Sequence, residues 1–174
     1  LFSGLASSQQ VFDEIFDRAD SFPLWFGLMA LLASGSNLIN AKIVVTLGMR
    51  EVVRRVLLVQ GSFTLLYVLL LSLNLIPEAL AFPLAFVWLT SIFYLAGFGI
   101  GNMNALALEP LGHMAGLAAS IITALATIGA ALISVPIGLS FDGTLLPLSV
   151  GVGLCVCAAL FILRYVEEDS QAMA

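Results

Sequence analysis

The sequence is poor in charge. Six basic and eleven acidic side chains make up 10% of its 174 residues, against 61% apolar residues and a mean hydropathy of +1.11. Soluble domains carry about 25% charged residues, so this composition belongs in a bilayer and excludes soluble enzymes, nucleic-acid binders and disulfide-stapled folds. Histidine occurs once, as His113, which leaves no second imidazole for haem ligation and no His-Glu-x-x-His zinc motif. A Ser/His hydrolytic constellation has only that one connector histidine to draw on, so the chain is read as not an enzyme, with no catalytic residues. Cysteine occurs twice, at Cys155 and Cys157, inside an apolar run that offers no further ligands. The pair reads as small apolar packing, and no metal site or cofactor is expected. The basic residues form no stripe that would bind nucleic acid.

What charge there is clusters, and the gaps between clusters carry the fold. Uncharged runs cover 21–41, 56–77, 79–108, 110–141 and 143–163. At about 1.5 Å per residue, about twenty residues cross the roughly 30 Å hydrocarbon core, so each run accommodates a transmembrane helix. The apolar stretch Leu1 to Phe12 is too short to cross and lacks the basic flank of a signal peptide, so it reads as the end of a truncated helix. The expected fold is therefore all-α: a polytopic bundle of five full transmembrane helices plus a truncated sixth. Residues 1–165 form the bundle (1–12 the truncated helix), and 166–174 form a tail.

Four of the six basic residues, Lys42, Arg50, Arg54 and Arg55, fall in one short connector, which the positive-inside rule places in the cytoplasm. Alternation then sends helices near 22–41 inward, 56–76 outward, 82–108 inward, 115–137 outward and 145–163 inward. Arg164 and the tail land in the cytoplasm as well, a partly independent check. Arg18, among Asp13, Glu14, Asp17 and Asp20 outside, is the exception. Pro23, Pro77, Pro83, Pro110 and Pro147 are expected near helix ends, and Pro136 toward the outer end of its helix.

Gly, Ala, Ser and Thr crowd the stretch from Gly97 to Ser134. Gly97 and Gly101 stand four apart, and Ala115, Ala119, Thr123, Thr127 and Ala131 step by four along the next helix. Small residues let helix backbones approach, which serves either static packing or an interface that slides or rocks. Uncharged polar residues are sparse: Gln9 and Gln10, then Ser34, Ser36, Asn37 and Asn40, then Gln60 and Thr64, then Thr90, Ser91, Tyr94, Asn102 and Asn104. Amides at membrane depth need partners or water, so these serve as interhelical hydrogen bonds or as ligand contacts. No carboxylate or lysine lies centrally in a predicted helix, so proton-coupling chemistry is not visible. Glu109 and His113 read as a helix exit and a solvated imidazole.

From Gly97 through Ser120, a Gly/Asn-rich helix end (Gly97, Gly99, Gly101, Asn102, Asn104) precedes Pro110, a short connector and the run Ala115, Gly116, Leu117, Ala118, Ala119. This resembles the tenth-to-eleventh helix region of major facilitator superfamily multidrug transporters of the bicyclomycin-resistance type. Asn40 to Arg55, with Gly48-Met49-Arg50 and Arg54-Arg55, looks like an eroded counterpart of the superfamily's cytoplasmic Gly-x-x-x-Asp-Arg-x-x-Arg-Arg loop, without its Asp-Arg pair. The resemblance implies the second half of a major facilitator fold: the carboxyl-terminal six-helix bundle of a multidrug exporter in the bacterial inner membrane, working by alternating access and proton antiport. Its implied partners are the lipid bilayer, a missing N-terminal six-helix half, protons and a small amphipathic substrate. Expected cavity contacts are Gln9, Gln10, Ser36, Tyr94, Asn102 and Thr123. Expected conformational-interface residues are Gly97, Gly101, Gly116, Ala119 and Thr127, with Arg50, Arg54 and Arg55 in the cytoplasmic loop. Two other readings remain: a superfamily transporter for another solute, and a non-transporting membrane subunit or anchor that uses its small-residue stripe to bind a partner helix.

Overall fold

The computed structural model describes residues 1–172, with side chains through Tyr165, and every regular element among them is helical. A short helix α1 (Phe2–Gln10) runs into a single π turn at Val11–Ile15. Five long helices follow: α2 (Phe22–Leu47), α3 (Met49–Ser72), α4 (Glu78–Leu108), α5 (Ala115–Leu139) and α6 (Leu146–Ala172). Four stretches are long and apolar enough to cross a membrane: Phe22–Leu47, Met49–Ser72, Glu78–Leu139 and Leu146–Tyr165. The third is 62 residues long and is broken between α4 and α5 by a 3-10 segment, Glu109–Met114, in which Leu111 leaves helical geometry (φ −110°, ψ 23°). Each side of that break exceeds the about twenty residues a crossing needs. The chain is an all-α, multi-spanning membrane helix bundle.

The helix ends differ from the sequence expectation where charge was taken as a boundary. α2 continues past Lys42 to Leu47 and α3 begins at Met49, so the connector expected over 42–55 shrinks to Gly48. Lys, Arg and Glu are good helix formers, and charge ends the hydrocarbon-spanning part of a helix without ending the helix. The reversal is made by Gly48, whose φ of 80° and ψ of 156° suit a residue without Cβ. Arg50, Arg54 and Arg55 accordingly sit on the first two turns of α3, where Glu51 bridges Arg54 Nε at 2.9 Å and Arg55 Nε at 2.6 Å. α4 begins at Glu78, behind Pro77 as N-cap, so Pro83 lies inside the helix. The carbonyl that Pro83 leaves unpaired is that of Ala79 on the exposed first turn, which makes the proline tolerable there. Between α5 and α6, Asp142 accepts hydrogen bonds from the Thr144 amide (3.0 Å) and hydroxyl (2.6 Å), and Gly143 takes φ 84°. This is an Asx-type turn.

α4 is the centre of the bundle. α2 and α3 lie against it, α6 packs on α3, and α1 is wedged against α5 and α6 while touching α4. α1 turns its small residues Ser3, Gly4, Ser7 and Ser8 inward, and Gly4 approaches Ile92 of α4. In lipid there is no solvent-driven force between helices, so close backbone approach carries the packing. Gly61 of α3 faces Val156 of α6, and Gly151 of α6 faces Ile137 of α5. At the end of the bundle that holds the α1–α2 and α3–α4 connections, aromatic rings take over. Phe12, Phe22, Phe16, Trp25, Phe82 and Phe86 meet mostly edge to face with centroids 4.9 to 5.5 Å apart. The guanidinium of Arg18 lies 4.2 Å from the Phe82 centroid, which gives that basic residue an aromatic partner among its acidic neighbours.

Candidate functional site

The α2–α4 seam is built on a glycine. A Cβ at Gly97 would overlap the hydroxyl of Ser36, which is fully buried, and would stand 3.0 Å from the Ser36 Cβ. Three to six residues along each helix, Asn102 Nδ2 donates to Asn40 Oδ1 at 2.9 Å and to the Phe98 carbonyl at 2.8 Å. Tyr94 turns its hydroxyl toward Gly35, 3.1 Å from where a Cβ would stand. Small residues thus bring the two backbones together, and the paired amides satisfy each other where water is excluded.

Between α3 and α4 a second polar set is buried. Trp88 Nε1 donates to Thr64 Oγ1 at 3.2 Å, Gln60 Nε2 reaches the same oxygen at 3.3 Å, and the Tyr67 ring stacks on Trp88 with centroids 5.1 Å apart. The indole, hydroxyl and amide satisfy one another, as buried polar groups at membrane depth must.

Two cavities flank α4. One, of about 520 Å³, lies between α2, α3 and α4 and includes Leu32, Arg55, Val59, Gln60, Val87, Thr90, Ser91 and Tyr94. Its lip is formed by the exposed aliphatic residues Leu32, Val59 and Val87. The other, of about 690 Å³, lies among α3, α4, α5 and α6, with Arg50, Ala96, Gly99, Asn104, Ala126, Ala159 and Leu1 on its walls. Both are overwhelmingly apolar, and each has one arginine of the α3 start at its edge.

The outer faces of the helices are of two kinds. α3 and α6 expose large apolar residues: Leu58, Leu65, Leu69, Leu154, Phe161 and Ile162. α5 divides into sectors. Leu117, Ile121, Leu125, Ile128, Leu132 and Leu139 form an exposed aliphatic stripe, whereas Gly116, Ser120, Thr123, Ala124, Thr127 and Ala131 form a second exposed stripe that is small and weakly polar. α2 shows the same division: Leu24, Leu28, Leu31 and Leu38 on one exposed side, and Gly27, Ala30, Ser34, Asn37 and Ala41 on another. Spacings of three and four residues place each set on a single helix face.

The residues singled out in the sequence distribute over these features. Ser36 and Asn102 lie in the α2–α4 seam, and Tyr94 borders both that seam and the lateral cavity. Thr123 is exposed on the small sector of α5. Gln9 is exposed and Gln10 donates to Glu14 at 3.0 Å, so the two glutamines sit at the end of α1, apart from either cavity. Gly97 meets Ser36, while Gly101, Gly116 and Thr127 are exposed and Ala119 is half-buried. Sequence reasoning did not single out Trp88, nor the aliphatic lip of the lateral cavity. The spacing of Gln60 and Thr64, four apart on one face, is the signal from which a buried polar cluster on α3 could have been read. Among the described residues no group of three or more His, Cys, Asp or Glu comes together to hold a metal. No protein-family profile matches this chain, and neither a curated protein nor a solved structure matches it.

Proposed function

We propose that this chain is one helix bundle of a secondary transporter for small amphipathic molecules. The observation that carries the proposal is the second exposed sector on α2 and α5. A helix face meant for acyl chains has little use for a run of small residues such as Gly116, Ala124 and Ala131, or for the exposed Thr123 and Asn37, whose side chains make no hydrogen bond among the described residues, when the neighbouring sectors of the same helices are leucine and isoleucine. Faces of this kind suit a water-lined path or a second bundle that approaches closely and slides.

The resemblance described above supplies the finer reading. The partner is another six-helix bundle of the major facilitator type, the pair rocks between inward- and outward-open states, the cargo is a drug-like amphipath, and a proton gradient drives export. In this reading the membrane is the bacterial inner membrane and the Gly48 reversal and the carboxyl terminus are cytoplasmic. Thr123 and Asn37 then face the path, and the Asn40–Asn102 and Gly97–Ser36 contacts hold α2 to α4 as one rigid unit.

Accessibility tests the proposal. With Cys155 and Cys157 replaced by Ser, single cysteines at Thr123, Ser120 and Asn37 are expected to react with a membrane-impermeant maleimide in intact membranes, while cysteines at Leu125 and Leu154 stay unreactive. Equal protection at all five positions would refute a water-lined face. In cells lacking their main exporters, Thr123→Leu is expected to restore dye accumulation without changing the amount of protein in the membrane. If the chain only binds a partner helix, Thr123→Leu releases that partner and no accumulation depends on the proton gradient.

A further inference from the structure

We propose that the lateral cavity between α2, α3 and α4 is a binding groove for an anionic phospholipid, with one acyl chain lying along α4 and the phosphate at Arg55. Its lip, Leu32, Val59 and Val87, is exposed aliphatic surface, so the groove opens sideways into hydrocarbon and away from the small, weakly polar sectors of α2 and α5. Its wall is overwhelmingly apolar, and apart from the Tyr94 hydroxyl its polar side chains already spend a donor inside the protein. Thr90 donates to the Phe86 carbonyl at 2.7 Å, Ser91 to the Trp88 carbonyl at 2.6 Å, and Gln60 is engaged with Thr64 at 3.3 Å. A drug-like ligand is oriented by a few convergent polar groups, whereas an acyl chain needs none.

The dimensions and the charge agree. Along α4 the groove runs from Phe86 to Phe98, a rise of about 18 Å at about 1.5 Å per residue. One leaflet of the hydrocarbon core is roughly 15 Å deep. The groove ends at Arg55, inside a segment that carries Lys42, Arg50, Arg54 and Arg55 against the single acid Glu51. Glu51 engages Nε of Arg55, and a guanidinium has further N–H donors whose fork geometry matches a phosphate. Basic clusters at a helix end beside an interhelical groove attract anionic headgroups.

The test is native mass spectrometry of the purified chain in detergent micelles, titrated with palmitoyl-oleoyl phosphatidylglycerol or with phosphatidylcholine of the same chains. Phosphatidylglycerol is expected to bind more tightly. Arg55→Gln is expected to weaken it about fivefold, the worth of one basic residue at the membrane surface, and to weaken phosphatidylcholine, whose phosphate is offset by its own ammonium, by less. Val59→Trp, which fills the groove from its exposed lip, is expected to displace both lipids, whereas Leu154→Trp on the bare face of α6 displaces neither. Equal binding of the two lipids, or a preference untouched by Arg55→Gln, overturns the headgroup assignment. Wild-type occupancy in Val59→Trp overturns the groove. Should Arg55→Gln fail to fold, Arg55→Lys keeps the charge and is expected to keep most of the preference; its complete loss there also overturns the assignment.

Discussion

The contact between Gly97 and Ser36 makes a prediction whose sign changes with the partner. In the native sequence, Gly97→Ala puts a methyl group onto the Ser36 hydroxyl, 3.0 Å from its Cβ and 3.3 Å from Asn37 Oδ1. Rotating the hydroxyl away does not relieve the Cβ contact, so α2 and α4 must separate or strain, a cost of about 1 to 3 kcal/mol typical of overpacking. Ser36→Gly alone removes a buried side chain from a helix interior and costs roughly 1 kcal/mol. With Gly at 36, the methyl at 97 has space, and alanine stabilises a helix by up to about 1 kcal/mol over glycine. Gly97→Ala is therefore destabilising in the native background and neutral to stabilising in the Ser36→Gly background. The coupling is about 2 kcal/mol, at the upper end for contacting residues. The assay is reversible unfolding of micelle-bound protein in increasing SDS, followed by tryptophan fluorescence, since Trp25 lies on α2 and Trp88 on α4. Additive effects of the two substitutions would show that the helices do not approach at this point, and the argument for a glycine-built seam would fail.

The other interhelical contacts give smaller effects in the same assay. Asn40→Ala removes the 2.9 Å bond from Asn102 and is expected to cost about 0.6 to 1.7 kcal/mol, the range for interhelical hydrogen bonds in membranes; Asn102→Ala in the Asn40→Ala background should then add less than it does alone. Thr64→Val leaves both the Trp88 indole and the Gln60 amide without their shared acceptor, so it should cost more than Thr64→Ser, which keeps the hydroxyl. A smaller loss for Thr64→Val than for Thr64→Ser would count against the cluster. Arg18→Ala removes the guanidinium over Phe82 and should lower stability by about 0.5 to 1 kcal/mol, with Arg18→Lys recovering part of it.

Much of the fold was legible because the bilayer imposes a length. The uncharged runs at 21–41, 56–77, 79–108, 110–141 and 143–163 each hold most of one of the five long helices, and the 115–137 expectation for α5 misses its end by two residues. Boundaries went astray where charge was used as a stop signal, at Lys42 and Arg55, because hydropathy reports where a helix leaves the hydrocarbon and capping chemistry reports where it ends. Gly48 was the proper signal for the reversal. At the candidate site, the sequence showed that Gly97, Ser36, Asn40 and Asn102 are small or amide-bearing, which is local information. That Gly97 lies on Ser36 and Asn102 on Asn40 depends on how α2 and α4 are rotated against each other, and no period within either helix encodes that. The lateral groove was illegible for the same reason. Leu32, Val59 and Val87 are unremarkable aliphatics until three helices bring them to one lip.

Unequal packing across the bundle links these contacts to movement. α2, α3 and α4 are tied by the Asn40–Asn102 pair, the Trp88–Thr64–Gln60 cluster and the aromatic rings around Phe82, and α6 is locked to α3 through Gly61 and Val156. α5 has no such tie: apart from Ala118 and Ser134 its side chains are at least partly exposed, and it rests against the nine-residue α1 and against Gly151 of α6. A helix held by van der Waals contact alone, without interhelical hydrogen bonds among the described side chains, is the one that shifts at the lowest cost. It is also a helix that exposes Ser120, Thr123 and Thr127. If the path lies along that face, moving α5 changes its width while the α2–α3–α4–α6 unit stays fixed, so substitutions that tighten α5 onto α6 should slow transport without weakening the fold. Adding bulk at Gly151 is the wrong way to do this, because its Cβ would stand 2.8 Å from Ile137 and push α5 off. Gly129→Ala is the control: nothing stands within 4 Å of where its Cβ would be, so it should leave both the packing of α5 and the rate of transport unchanged.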